Sequence, residues 1–366
     1  MKRSAEDCAL FFVTGLFAFI LSSKFITSAF LPLLYSGLLN KRSPCMVAWN
    51  RSKPACYIRE IGAAQLMSGV RRNIDCEHFL MEYRFLQKES FPQLYSTFVN
   101  AFSDYVVKMQ PSEQQFSEML TRRGVRYDLS VGAFSGHQLV GFNLNALDLW
   151  KGRLTIYDTG TGVIPEYRGQ KLASRMFEFS LPKLRQVSAQ QYILEVIDTN
   201  VSAIRVYKNV GFREVRKLES FMLSGSVERG SMEESTGIRL EIESNPDWEL
   251  FQSFWDWEPS WQNSINSINR SLDIKVLVCA YFEGCCVGYG IIYPSNGDIP
   301  QLAINKGYRR RGIGTRLLQS LEMQIKGEPI GRMINIDQSA EGTLRFCEAV
   351  GMKKIVNQYE MLLELS

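Results

Sequence analysis

Residues 161–179 read "TGVIPEYRGQKLASRMFEF": an apolar strand end closed by Pro165, a short basic turn containing glycine, then a helix opened by Leu172, Met176 and Phe177. Residues 302–322, "LAINKGYRRRGIGTRLLQSLE", repeat the strand end, the tyrosine, the basic turn and the helix. The two turn tyrosines, Tyr167 and Tyr308, lie 141 positions apart. A strand–turn–helix unit that recurs at this distance commits the chain to one fold built twice, because each copy has the same apolar faces to bury. The 366 residues suit two domains at roughly 150 residues each.

The net charge of +4 is unevenly spread. Residues 1–80 carry ten of the 42 Lys and Arg but only five of the 38 Asp and Glu. Residues 81–366 are therefore close to neutral, which argues against a nucleic-acid surface. Two histidines, His78 and His137, leave little material for a histidine metal site or a Ser-His-Asp triad, and no metal is expected. The eight cysteines include no C-x-x-C pair, and the adjacent Cys285 and Cys286 cannot bridge each other without severe distortion. Reduced thiols in a reducing compartment are expected.

From Ala9 to Ser23 the chain is uncharged and rich in Phe and Leu, and after Lys24 it stays uncharged to Asn40. Residues 9–40 fit a signal peptide or one membrane span of about 20 residues. Positive charge is denser after this segment (Lys41, Arg42, Arg51, Lys53, Arg59) than before it, which would leave the C-terminal bulk in the cytoplasm. The other reading is that residues 1–80 are an upstream extension from a start assigned too early: 41–80 show no periodicity and end where "MEYRFLQKES" begins with a methionine and a strand-like run.

From Met81 the apolar pattern gives a strand over 82–87, an amphipathic helix with Phe91, Leu94, Phe98 and Phe102 on one face, and a second helix near 112–123. The strands "YDLSVGAF" and "LVGFNLNAL" follow, joined by "SGHQ". Next come a long strand to Pro165, the helix from Gly169, the strand "QYILEVI", the helix "VSAIRVYKNV" and a strand pair after Gly211. The polar run 224–237 reads as a linker between a first domain, 81–223, and a second, 238–366. The second repeats the order: "IRLEIES", helices between Pro246 and Arg270, "KVLVCAYF", "CVGYGIIYP", the strand into the second turn and its helix, "MINID", "AEGTLRFCEAVG" and a last strand to Leu365. The expected class is α/β or α+β, as two tandem mixed-sheet domains with flanking helices.

A helix that starts without side-chain caps leaves about four N–H groups free beside a partial positive charge, and small residues there admit a pyrophosphate to the backbone. Arg309, Arg310 and Arg311 supply charge, and Gly312 and Gly314 supply access. Neither G-x-x-x-x-G-K-[ST] nor G-x-G-x-x-G occurs, so this is not a Walker loop or a dinucleotide fingerprint. Alone, such a turn fits a solvated helix start equally well. The combination of Val163, Pro165, Glu166, Tyr167, Arg168, Gly169, Leu172 and Ala173 with Asn200, Ala203, Tyr207, Gly211 and Phe212 resembles the GNAT superfamily of N-acetyltransferases. The resemblance covers nearly all of 81–366 as two copies, an arrangement similar to mycothiol synthase-like double GNAT proteins.

The resemblance implies acetyl-CoA, or a related acyl-CoA, wedged where two strands splay apart with its pyrophosphate on the turn amides, and an amine of a small molecule or peptide as acceptor. It assigns to the donor Val163, Arg168, Gly169, Gln170, Lys171, Leu172, Ala173 and Asn200 in the first copy. In the second it assigns Ile304, Arg309, Arg310, Arg311, Gly312, Ile313 and Gly314. The copies depart from the family pattern in opposite ways. Lys171 stands where the inner glycine of the turn belongs, whereas Tyr207, at the place of the family's proton donor to the departing thiolate, is matched in the second copy by Cys347.

For a base, Asp158 on the strand before the turn and Glu195 on the next strand are the carboxylates placed to face the splay. Each also fits an ordinary strand-end charge, and a water chain could replace both. Catalysis is expected in the first copy, with the second binding CoA or shaping a shared cleft. The same split fits a non-catalytic acyl-CoA-binding or sensor protein. Aminoacyl transfer from tRNA by a similar double fold is opposed by the near-neutral charge. Between 248 and 261, Trp248, Trp255, Trp257 and Trp261 interleave with Asp247, Glu249, Asp256 and Glu258, which fits aromatic packing on the sheet or a site for a cationic amine.

Overall fold

Each half of the chain builds the same layer of six strands with helices laid on it. The structure, a computed structural model, describes residues 81–104, 109–225, 237–271, 274–325, 327 and 330–365. The first half contains β1 (Glu82–Phe85), α1 (Phe91–Ala101), α2 (Glu113–Arg123), β2 (Val131–Ser135), β3 (Gln138–Trp150), β4 (Arg153–Val163), α3 (Leu172–Gln186), β5 (Gln191–Ile197), α4 (Val201–Val210) and β6 (Arg213–Leu223). The second contains β7 (Ile238–Glu243), α5 (Trp248–Ser253), α6 (Ile265–Asn269), β8 (Val276–Phe282), β9 (Cys285–Tyr293), β10 (Asp298–Ile304), α7 (Ile313–Glu322), β11 (Arg332–Asp337), α8 (Glu341–Ala349) and β12 (Met352–Glu364). This is the mixed α/β class expected. The helices expected between 246 and 270 are two short pieces, and the apolar segment 9–40 lies outside the described residues. Among the described residues no helix is long and apolar enough to cross a membrane, and Cys279, Cys285, Cys286 and Cys347 are free thiols.

The twelve strands of the described residues share one sheet in the order β1-β2-β3-β4-β5-β12-β6-β11-β10-β9-β8-β7. The expected strand pair after Gly211 is a single strand, β6, and its partners come from the other half. β6 lies antiparallel between β11 and β12, while β12, the end of the chain, inserts between β5 and β6. The halves thus exchange their last strands. Ile197 pairs with Gln358 just as Asp337 pairs with Leu218, positions matched by an offset of 140, and Leu218 pairs directly with Gln358. A local two-fold therefore passes through the Leu218–Gln358 pair.

The apolar cores lie under the helices. Leu94, Phe98, Phe116, Phe142 and Met176 fill the first half, and Val278, Ile292, Leu317, Leu321 and Met333 the second. α2 starts at a capping box in which the Ser112 hydroxyl accepts from the Gln115 N–H, and it stops at Gly124 in the left-handed conformation. These two ends fix the last turn, which carries Arg122 and Arg123 toward the other half. There the Arg123 carbonyl accepts from Trp261 Nε1 at 3.0 Å, and the Trp261 ring stacks on Tyr157 at 5.1 Å.

Candidate functional site

β4 and β5 run parallel from Thr155–Gln191 to Asp158–Leu194, and their pairing ends there while β4 continues to Val163. Beyond Asp158 the strands part. The β3–β4 register slips between Leu144 and Asn145, so Thr159 bulges at the opening of the splay. Asp158 is 7% exposed. Its Oδ1 accepts from the Gly160 N–H at 2.9 Å and its Oδ2 from the Thr161 hydroxyl at 2.7 Å. From α4 the Tyr207 hydroxyl donates to the same Oδ2 at 3.5 Å. Burial pushes the Asp158 carboxyl up to about 6, against the opposing pull of the Thr161, Gly160 and Tyr207 donors. The site thus joins a carboxylate that can accept a proton near neutral pH to a hydroxyl that can donate one.

Glu195 lies elsewhere. Neighbouring residues of a strand face opposite ways, and Glu195 shares the Tyr157 face, not the Asp158 face. Its Oε2 accepts from the Tyr157 hydroxyl at 2.7 Å and from Gln262 Nε2, in the second half, at 2.8 Å, while Arg123 donates to Gln262 Oε1 at 2.6 Å. Burial, aided by the negative Glu360 nearby, raises its carboxyl pKa, with the Tyr157 bond opposing. Asp158 and Glu195 are therefore not brought together. Tyr157, Gln262 and Thr161 had not been singled out from the sequence.

The two basic turns have matching geometry. Arg168 donates to the Val163 and Ala101 carbonyls and pairs with Asp104 at 2.6 Å; Arg309 donates to the Ile304 and Phe254 carbonyls and pairs with Asp256 at 2.7 Å. These guanidinium groups, expected to face phosphate, clamp each turn to the C-terminal end of the first helix of its half, α1 or α5. Beyond them each turn has two left-handed positions: Gly169 (φ 78°) and Lys171 (φ 61°) in the first half, Arg310 (φ 62°) and Gly312 (φ 75°) in the second. Neither α3 nor α7 has a side-chain cap, and a Cβ at Gly169 or Gly312 would meet nothing within 4 Å. Open amides at the start of helices of 15 and 10 residues fit a pyrophosphate. Gln170, Lys171 and Arg310 are exposed and Ala173 is half-buried, while Leu172 and Ile313 plunge into the cores. The Arg311 guanidinium lies 5.1 Å over the Tyr308 ring. Asn200 caps α4 by accepting from the Ala203 N–H at 3.2 Å. A Cβ on Gly314 would come within 3.1 Å of the Phe346 ring, so helix packing already accounts for that glycine.

The second half holds a cavity of about 820 Å³, with Trp255, Pro300, Leu302, Arg310, Gly312 and Thr343 in its walls. That is within the size range of small-molecule sites, about 300–1,000 Å³. It lacks counterparts of Asp158 and Tyr207. Nine residues before the turn tyrosine, where the first half has Asp158, the second has Ile299. Cys347, at the place of Tyr207, is buried, points its sulfur at Met333 Sδ 4.0 Å away, and has its thiol pushed up to about 12 by burial. The four tryptophans do not form one cluster: Trp255, bonded to the Tyr289 hydroxyl, and Trp257 line this cavity, whereas Trp248 bonds Asn269 and Trp261 stacks on Tyr157.

Known proteins match this architecture. An N-alpha-acetyltransferase 30 of Schizosaccharomyces pombe is 26% identical over 121 residues, 31% of this chain and 81% of that protein. A thialysine N-epsilon-acetyltransferase of Sus scrofa is 32% identical over 103 residues, 27% of this chain, and the match spans 60% of its length. Among solved structures, a tandem GNAT protein from the clavulanic acid biosynthesis pathway superposes with a TM-score of 0.62 over 78% of this chain and 99% of its own, at 13% identity. An acetyltransferase-like protein of Pyrococcus horikoshii gives 0.55 over 78% and 89%, at 16% identity. The sequence profile of the Acetyltransferase (GNAT) family fits the chain twice, over residues 91–212 and 242–352. Two copies of one profile, each laid on one of the two strand–turn–helix units, place the chain in the Acetyltransferase (GNAT) family, as a tandem member.

Proposed function

We propose that the chain transfers an acetyl group from acetyl-CoA to an amine of a small molecule or peptide, and that the first half carries the chemistry. The observation that carries this reading is the Tyr207–Asp158 pair, 3.5 Å apart at the mouth of the splay, in a half whose counterpart has Cys347 and Ile299. Acetyl-CoA supplies the acetyl thioester, and the uncapped amides after Arg168 and the exposed Lys171 are the groups suited to its pyrophosphate. Asp158 takes the proton that the amine nitrogen releases as it bonds to the acetyl carbon. Tyr207 gives its proton to the departing sulfur, and the contact between the two lets Asp158 return the proton to Tyr207. The relatives named as N-alpha- and N-epsilon-acetyltransferases support an amine acceptor.

The test is thiol release and acetyl-product formation over a panel of amines. Tyr207→Phe should keep the fold and lower turnover by about 10²–10⁴-fold, while Cys347→Ala should leave turnover near wild type. Loss of activity in Cys347→Ala with retention in Tyr207→Phe would move the chemistry to the second half. A second reading has one observation in its favour: the 820 Å³ cavity lies in the half without the pair. There the chain would hold an acyl-CoA without consuming it, and saturable acetyl-CoA binding with no product from any amine would support that reading instead.

A further inference from the structure

A carboxylate buried beside a splay keeps its charge only when donors surround it. We propose that Thr161 is a positioning residue: a chain of buried amides, anchored on a backbone carbonyl, turns its hydroxyl proton onto Asp158 and holds that carboxylate as an acceptor for the amine proton. This rests on the assignment of Asp158 as the base.

The chain begins at Leu129, whose carbonyl accepts from Asn145 Nδ2 at 2.8 Å. A carbonyl can only accept, so the orientation of the Asn145 amide is fixed. The same Nδ2 donates to Asn143 Oδ1 at 2.9 Å, which turns the Asn143 Nδ2 the other way, toward Thr161 Oγ1 at 2.8 Å and the Tyr192 oxygen at 3.1 Å. Tyr192 then donates to Asn145 Oδ1 and closes a ring of three side chains. Because Thr161 Oγ1 receives the Asn143 N–H, its own proton goes to Asp158 Oδ2, 2.7 Å away. Asn143, Asn145 and Tyr192 are at most 2% exposed, so bulk water does not compete for these bonds.

The bonds at Asp158 are unequally shared. Among the described residues Oδ2 receives Thr161 and Tyr207, whereas Oδ1 receives only the Gly160 N–H and keeps a lone pair for the amine. The ionisable groups around it are tyrosines: Tyr157 on its own strand, Tyr192 on β5 and Tyr207 on α4. Burial raises Tyr157 and Tyr192 well above the usual phenol range, so both stay neutral. Among the described residues no cation pairs with Asp158. The fold does not need this ring. Where β3 and β4 pair Asn143 with Thr161, β9 and β10 pair Gly290 with Leu302, and the place of Asp158 is taken by Ile299.

The experiment uses the full chain and two readouts: the pH profile of kcat/KM, and the titration of the Asp158 carboxyl followed by carbon NMR of aspartate-labelled protein, with its signal identified in Asp158→Asn. In Thr161→Val, which keeps the side-chain shape, the Asp158 titration should move up by about one pH unit or more, and the acid limb of the profile should move up with it. Thr161→Ser, which keeps the hydroxyl, should restore both. Tyr192→Phe, which opens the ring without changing volume, should give a smaller upward movement. An Asp158 titration that stays in place in both Thr161→Val and Tyr192→Phe overturns the proposal, as does a Thr161→Ser variant that behaves like valine. If the titration moves but the rate profile does not follow it, the Thr161–Asp158 coupling stands and the assignment of Asp158 as base falls.

Discussion

Replacing Asp158 by Asn should abolish turnover and make the protein more stable at neutral pH. The carboxyl rises from its ordinary 3.8 to about 6 on folding. That rise of about two units corresponds to about 3 kcal/mol against the ionised folded state, at about 1.4 kcal/mol per unit. Since Asp158 is 7% exposed, little of this is screened by solvent. Between about pH 4 and pH 6 the folded chain holds a proton that the unfolded chain has released. Stability from this group is therefore complete below the unfolded value and declines as pH rises through about 6, then stays level. Asparagine does not ionise and escapes that decline, but its Nδ2 offers no lone pair to one of the three donors at the site, which costs about 1 kcal/mol. The net gain should be about 2 kcal/mol at about pH 8 and should vanish or reverse by about pH 4. Urea unfolding of both proteins across that range measures it. A difference between the two that does not change with pH would refute the reasoning, because it would mean that folding does not raise the Asp158 pKa.

Lys171 and Arg310 hold left-handed backbone with side chains attached, at φ 61° and 62°. Changing either to Gly should relieve about 1–2 kcal/mol of strain and give back about 0.4–1 kcal/mol through the freer unfolded chain, a net gain of about half a kcal/mol readable as a rise in urea midpoint. Loss of stability in Lys171→Gly would show that the lysine side chain holds its turn. A chain stopped at Gly351 lacks β12, leaving β5 and β6 each with one bare edge in mid-sheet. It should aggregate or unfold without cooperativity, and a monodisperse, cooperatively folded product on size exclusion and thermal melting would contradict the strand exchange.

Much of the fold was legible because its elements carry strong local signals. The repeat of strand, tyrosine, basic turn and helix located both splays, and the strands "QYILEVI" and "MINID" and the helix "VSAIRVYKNV" stand where their patterns put them. The exchange of β6 and β12 was not legible, since both are antiparallel strands of ordinary composition and nothing local says which neighbour each will take. At the site, Asp158 and Tyr207 come together, yet Thr161 could not be seen. Residues three apart on a regular strand face opposite ways, and only the bulge at Thr159 returns Thr161 to the Asp158 side. Asn143 and Asn145 did leave a trace: two amides on one face of the apolar run "GFNLNAL" must be bonded when buried. The arginines are ambiguous for a different reason. A basic turn has the same sequence whether its guanidinium groups face a phosphate or, like Arg168 and Arg309, reach back to Asp104 and Asp256.

The exchange also explains how the halves can differ so much at their splays while sharing a fold. β5 forms one wall of the first-half splay, and its far edge is held by β12 from the second half. Glu195 on β5 is bonded by Gln262, and Tyr157 on β4 is covered by Trp261, both also from the second half. The strands and the 261–263 turn of the second half are thus part of the support for the Asp158–Tyr207 site whatever its own splay contains. Those supporting residues are fixed by pairing and packing, whereas Ile299 and Cys347 are buried in the second half's interior, where any apolar set of similar volume serves. On the proposed assignment, a half that is required for the sheet but not for the proton transfers keeps its strands and its cavity without keeping counterparts of Asp158 and Tyr207.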